Sequence, residues 1–159
     1  MTNQSLHVRQ MRKLDLDFVY GLVQKTIQDS YHEVYPVEAV EFFKNFHHKD
    51  GILKDAVTGY IVIAESNGHM LGTGTLIDTT LKRVFVLPSH QHQGIGKLIA
   101  EELIRKAELN RLPALYLDAS LVSRRFWESM GFLILRETFI PVLNDSKLRY
   151  YEMVKNLRS

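Results

Sequence analysis

The sequence predicts a single-domain α/β (α+β) fold, with a central mixed, twisted sheet of about seven strands flanked by about four helices. Three observations carry that prediction. The spacing of apolar residues switches several times between the strand period of about 2 and the helix period of about 3.6. Two hairpin signals, Asn67-Gly68 and Asn144-Asp145-Ser146, lie either side of the chain's centre. Between them, 83–108 (RVFVLPSHQHQGIGKLIAEELIRKAE) reads strand, glycine turn, helix, and Ala114 to Asp118 reads as a buried parallel strand.

Taken in order, Leu6 to Met11 alternates as a first strand. Asp15 or Asp17 is placed to cap a helix running to about Ser30, with Leu16, Val19, Tyr20, Val23 and Ile27 on its buried face. Pro36 suits the start of a second helix, Val37 to about Phe46. From His47 to Gly59 the pattern supports only a short helical turn around Ile52 to Val57. Tyr60 to Glu65 and His69 to Ile77 form a hairpin, and Gly72 and Gly74 mark a bulge in its second strand. A fourth strand, Thr80 to Leu87, feeds the glycine turn. After the parallel strand come a helix at Val122 to Met130, Gly131 as its C-cap, and a closing hairpin of Phe132 to Val142 with Lys147 to Val154.

Composition narrows the function. The chain has 159 residues, of which 45% are hydrophobic and 24% charged, as in ordinary globular proteins with one sizeable core. A net charge of +2 is too small to argue for nucleic acid or an anionic membrane. Without cysteine there is no disulfide, thiolate metal site or cysteine acyl-enzyme. The first residues, MTNQSLHVRQM, carry no apolar leader and no run approaches membrane-spanning length, so a cytoplasmic location is expected. A homodimer is compatible with these observations.

The chemistry of 83–108 follows from its order. The first amides of a helix lack internal partners, and the peptide dipoles make that end electropositive. Glycines there remove side chains that would hold a phosphate away. Residues Gln93 to Lys97 are therefore expected to hold a diphosphate or similar anion. Pro88 ends the strand before the loop. Lys97, Arg105, Lys106, Arg111, Arg124 and Arg125 would suit further phosphates, or are solvated helix faces. The dinucleotide fingerprint needs a third glycine where Ile99 stands. The phosphate loop needs Ser or Thr where Leu98 stands.

Val86, Pro88, Gln91, Gly94 and Gly96 match position for position the motif Val-x-Pro-x-x-Gln/Arg-x-x-Gly-x-Gly/Ala, and so the stretch resembles the acyl-CoA-binding motif of the GCN5-related N-acetyltransferase (GNAT) family. Leu117 to Phe132 resembles a second family motif, Asn-x-x-Ala-x-x-Phe/Leu-Tyr-x-x-x-Gly-Phe, with Ser120 at the asparagine, Ser123 at the alanine and Gly131-Phe132 matching. The element order fits the family's fold over nearly the whole chain. The resemblance implies acetyl-CoA as cofactor, held by Leu87, Gln91, His92, Gln93, Gly94, Ile95, Gly96, Lys97, Ser120 and Ser123. Ser120 is equally readable as a helix N-cap.

It also implies transfer of acetyl to a primary amine, a small molecule or a peptide, by direct attack in a ternary complex. Trp127 stands where many members carry a tyrosine that protonates the leaving thiolate. An indole N–H has no acidic proton to give, so Trp127 is read as a pocket wall. Tyr116, Tyr150 and Tyr151 remain as tyrosines of that half. The family often places a glutamate on the strand before the CoA loop, whereas that strand offers Lys82 and Arg83. Asp118 is the favoured base, ahead of Asp78, Glu33 and Glu38. His47-His48 and His90-x-His92 are read as surface residues and no metal is expected. Tyr31, Tyr35, Phe42, Phe43 and Phe46 are expected mostly to pack the core, though they could line an acceptor site. Two alternatives stay open: a CoA-binding sensor or partner module without turnover, and a different nucleotide-binding protein.

Overall fold

In the computed structural model, which describes residues 6–158, one seven-stranded sheet carries helices on both faces. The reading of MTNQS as free of an apolar leader falls on residues 1–5, outside the described residues, as does residue 159. The strands are β1 (His7–Gln10), β2 (Tyr60–Ser66), β3 (His69–Ile77), β4 (Thr80–Val86), β5 (Ala114–Ser120), β6 (Leu133–Pro141) and β7 (Lys147–Asn156). The helices are α1 (Leu16–Tyr31), α2 (Val37–Phe46), α3 (Lys49–Thr58), α4 (Ile95–Leu109) and α5 (Arg124–Ser129). The spatial order is β1-β2-β3-β4-β5-β7-β6, with every neighbouring pair antiparallel except β4 and β5.

The alternation of β2 divides its side chains between two cores. Ile61 and Ile63 face α1, α2 and α3, joining Val19, Val23, Ile27 and Ile52. Val62 and Ala64 face α4 and α5, joining Ile99, Leu103 and Trp127. The β2–β3 turn has Asn67 at φ 55° and Gly68 at φ 76°, the doubly left-handed turn that matches strand twist. The β6–β7 turn repeats the device at Asn144 and Asp145.

Several expectations change. The segment after His47 forms a full helix, α3, because the His48 ring accepts from Gly51 N–H and starts it one turn earlier than apolar spacing suggests. That makes five α-helices among the described residues. Asp15 does stand at the start of α1, yet its carboxylate does not cap that helix. It accepts instead from Arg12 N–H at 2.7 Å and from both outer nitrogens of Arg9. Asp17 pairs with Lys49 across to α3. The fifth helix is shorter than Val122 to Met130, since Leu121 to Ser123 remain a turn. Gly131, at φ 91°, follows its C-cap as expected.

Gly72 and Gly74 have a second purpose besides the bulge. A Cβ on either would stand 2.8 or 2.6 Å from Ile99, so both glycines let α4 lie close on the sheet. β3 is bulged beside Gly72, where Leu71 is left between the pairs Ala64–Gly72 and Glu65–Met70, whereas at Gly74 the extra residue is on β4: Thr73 pairs with Phe85 and Thr75 with Lys82, leaving Arg83 and Val84 opposite the single Gly74.

Candidate active site

Two features of the fold make a candidate site, the loop that follows β4 and the gap between β4 and β5. The first is the loop from Leu87 to Lys97. Leu87 N–H donates to Leu71 at 2.9 Å, which ends the ladder, and Pro88–His90 makes one tight turn. The Gln91 side chain folds back and donates from Nε2 to the Val86 carbonyl at 3.0 Å, tying the loop to the strand end. His92 at φ 64° and Gly94 at φ 83° take the left-handed conformation, as in the main-chain nests that bind anions. The helix then begins with Leu98 N–H donating to the Gly94 carbonyl at 3.1 Å. The amides of Ile95, Gly96 and Lys97 therefore precede the first intrahelical bond.

The two glycines act differently. Gly94 is needed for its backbone angle, whereas a Cβ on Gly96 would lie 3.4 Å from the Phe126 ring of α5. Ile95 is buried in the core, so only its main chain is available to a ligand. His92, Gln93 and Lys97 are exposed around the loop. Of the basic residues expected nearby, Arg105 is committed to Glu102 and Lys106 stacks over Tyr60, both along α4 away from its start. Arg124 is bonded to Glu128 and Tyr151.

The second feature is a splay. β4 and β5 pair at Thr80 and Tyr116, where Tyr116 N–H also donates to the Thr79 carbonyl, and then diverge. A cavity runs through the gap. At one end it meets Ser123 and Trp127 of the α5 region; at the other it is walled by Phe42, Phe43 and Phe46 of α2. Tyr31 and Tyr35 belong to the core as expected, with Phe42 and Phe43 packed against it, and Tyr31, Phe42, Phe43 and Phe46 line this cavity as well. Tyr35 alone is withdrawn, its hydroxyl donating to the Arg149 carbonyl and accepting from Leu121 N–H.

On the cavity wall lies a buried polar cluster absent from the sequence reading. Arg83 sits at the bulge of β4 with φ 52°, a left-handed angle unusual for a side chain of its size. Its guanidinium donates to Asp55 Oδ2 of α3 at 2.6 Å and to His47 Nδ1 at 3.1 Å, and all three residues are less than a tenth exposed. His47 is therefore no surface residue. It ends α2, packed against Phe43, Phe46 and Phe85. Burial, and then the neighbouring Arg83 charge, push its pKa down to about 3. The neutral ring accepts at Nδ1 and so carries its proton on Nε2. His48, by contrast, is exposed as expected.

Asp118 lines the cavity from β5, exposed to solvent on one side. Partial desolvation, then Glu152 directly opposite on β7, raise its pKa above the usual carboxylate range. The other acidic candidates lie elsewhere: Glu38 accepts from Asn144 and Ser146, Glu33 is exposed beside His32, and Asp78 occupies the β3–β4 turn. Trp127 is 5% exposed, edge-on to Phe126 and Phe132, with one side on the cavity. Ser120 and Ser123 face each other at 3.0 Å, and the Ser120 hydroxyl accepts from Ser123 N–H. Ser120 thus closes the turn before α5, and its side chain is on the cavity as well. Of the tyrosines, Tyr150 lines the cavity, Tyr116 is turned to solvent and Tyr151 is held by Arg124. Tyr31 faces it too, its phenol pushed up to about 12 by burial.

Comparisons with known proteins identify the family and the fold. The sequence model of the acetyltransferase (GNAT) family matches residues 22–132, more than half of the chain. No curated protein sequence matches. Among solved structures, the fold is similar to a GCN5-related N-acetyltransferase of Rhodopseudomonas palustris, with TM-score 0.87, 18% identity and 99% of each chain covered. It is similar to the PaiA N-acetyltransferase of Thermoplasma acidophilum, solved with coenzyme A (TM-score 0.76, 17% identity, 96% of this chain and 99% of that one). The ribosomal-protein-S18-alanine N-acetyltransferase of Escherichia coli gives TM-score 0.74 at 18% identity, over 98% of this chain and 96% of that one.

Proposed function

The chain belongs to the acetyltransferase (GNAT) family, and from that premise we propose that it transfers acetyl from acetyl-CoA to a primary amine by direct attack in a ternary complex. One observation carries the reading: β4 and β5 part beyond Thr80 and Tyr116, the glycine loop follows the parted end of β4, and the aromatic cavity lines the gap, so donor and acceptor would approach from different sides. Several features fit coenzyme A. The amides from Gln93 to Lys97 suit its diphosphate, and Ser120 and Ser123 offer hydroxyls along the pantetheine path. The solved PaiA enzyme with coenzyme A supports the same assignment.

When bound, acetyl-CoA supplies an acyl group already activated as a thioester. The chain's contribution is placement and charge. Holding a neutral amine against the carbonyl carbon supplies most of the acceleration. Main-chain amides at the β4 bulge, where Arg83 and Val84 face the single Gly74, would polarise the carbonyl oxygen. As the C–N bond forms the C–S bond breaks. The amine loses one proton and the departing thiolate gains one. Asp118 is the acceptor for the first, its raised pKa moving it toward that task. Tyr150 or water delivers the second. Trp127 walls the thioester end and takes no part in proton transfer.

Acetyl-CoA and CoA should raise the melting temperature, since a ligand that binds only the folded state stabilises it by mass action. With an accepted amine, free thiol should appear, and Asp118→Asn should slow its release by roughly two orders of magnitude. No melting shift at saturating acetyl-CoA would remove the proposal.

A further inference from the structure

The charges around the acceptor end of the cavity select among amines. Its aromatic wall comes from Phe42, Phe43 and Phe46, with Phe42 stacked on Phe46 at 6.1 Å between centroids. These rings would welcome either an apolar body or a cation. The β4 part of the lining decides between the two. It presents Lys82, about a third exposed, next to Arg83. Asp55 lies behind them, 2.6 Å from Arg83 and 3.8 Å from Lys82, and is occupied by that pair. His47 adds no charge and can only donate from Nε2. One carboxylate, Asp118, lines the cavity itself. One ammonium group has a partner there, Asp118, whose charge Lys82 already offsets in part. A second would stand against Lys82 and Arg83.

We propose that the acceptor is a monoamine whose single primary amine is carried on an apolar, ring-sized body, and that Lys82 excludes polycationic amines such as polyamines and aminoglycosides. Discrimination here uses repulsion as much as fit: apolar surface fills the space between the α2 rings and β4, while the like charge on Lys82 penalises the competitor. Phe46, more than half exposed at the mouth, closes over the body of the bound amine. The proposal rests on the acetyl-transfer reading for turnover, though not for binding.

Trp127 is the chain's one tryptophan and lines the same cavity, so its emission reports occupancy without any reaction. The full-length protein, saturated with CoA, is titrated with phenethylamine and with spermidine. Phenethylamine should bind at least about tenfold more tightly. Lys82→Glu should shrink that ratio by about tenfold or more, through tighter spermidine binding. Phe46→Ala should weaken phenethylamine several-fold, while the melting shift given by CoA stays unchanged. Equal or tighter binding of spermidine to the wild type, or a ratio unmoved by Lys82→Glu, would overturn the assignment. Thiol release is followed in parallel with acetyl-CoA. Binding of phenethylamine without thiol release would defeat the transfer reading and leave the pocket assignment standing. Thiol release with spermidine alone would do the reverse.

Discussion

The glycine loop and the aromatic cavity, the donor and acceptor ends of the proposed site, are built from different materials. The loop offers main-chain amides, gathered in eleven consecutive residues from Leu87 to Lys97. The cavity offers side chains from α1, α2, β4, β5 and β7, brought together only by folding. A main-chain site depends on a few backbone angles and on the absence of side chains. A side-chain site depends on what holds each group in place, here the cluster of Arg83, Asp55 and His47. The difference teaches that the two ends should fail differently: the acceptor end through lost stability, the donor end through lost affinity with the fold intact.

The largest effect should come from breaking the cluster. Asp55→Ala leaves Arg83 charged and buried without its carboxylate, a change that costs roughly 3–5 kcal/mol where a buried pair loses one partner. It should also relax the left-handed angle at Arg83 and the bulge beside the cavity. Urea denaturation measures the first, and the KM for the amine the second. A loss under about 1 kcal/mol would mean the pair is solvated and leaves the bulge to other supports.

At the donor end, Gly96→Val should weaken CoA binding by well over tenfold while the melting temperature without ligand changes less than in the Asp55 variant. The added branch meets the Phe126 ring as well as the ligand. Gly94→Val is the companion, strained by φ 83° though it meets no neighbour. If either leaves affinity for CoA untouched, the diphosphate lies elsewhere.

These contrasts also explain what was legible in advance. The donor loop could be read because its chemistry is local: strand, proline, two glycines and an amphipathic helix are adjacent in the chain. Strand order and hairpins were legible for the same reason, through Asn67-Gly68 and the alternation of β2. Periodicity said little about α3, since helices that expose most of their surface carry a weak apolar stripe, and only Ile52 and Asp55 of α3 are buried. Nothing local distinguishes His47 from His48. The burial of His47 is decided by Arg83, thirty-six positions along, and by Phe85. For Phe42, Phe43 and Phe46 the sequence leaves core and acceptor site both open, because a ring on an amphipathic helix looks the same whether it faces a core or a cavity.

A smaller effect concerns acid. The folded state holds His47 neutral down to about pH 3, whereas an unfolded histidine binds a proton near its ordinary 6.5. A depressed histidine favours the fold fully above pH 6.5, and that contribution is lost as pH falls toward 3. Stability should decline in that window by up to about 1.4 kcal/mol per pH unit from this group. His47→Gln keeps an acceptor for Arg83 and cannot take the proton, so its denaturation midpoint should vary less across pH 4–6.5. Equal slopes in the two proteins would assign the acid sensitivity to carboxylates.

The smallest shift in stability belongs to Asp118, and its sign is opposite. Its folded pKa is raised, first by desolvation and then by Glu152 across the β5–β7 pair. A raised carboxyl favours the fold while protonated, below the unfolded pKa, and that advantage is lost as pH rises through the folded pKa. At neutral pH the ionised group therefore weighs against the fold, and Asp118→Asn should melt higher than the wild type. The gain should be small because the group is open to solvent, and it should vanish in acid, where both side chains are uncharged. Paired melting curves at about pH 4 and pH 8 test this. An unchanged or lower melting temperature at pH 8 would mean that the attraction of Lys82 outweighs burial and Glu152, leaving Asp118 an ordinary surface carboxylate poorly suited to take the amine's proton.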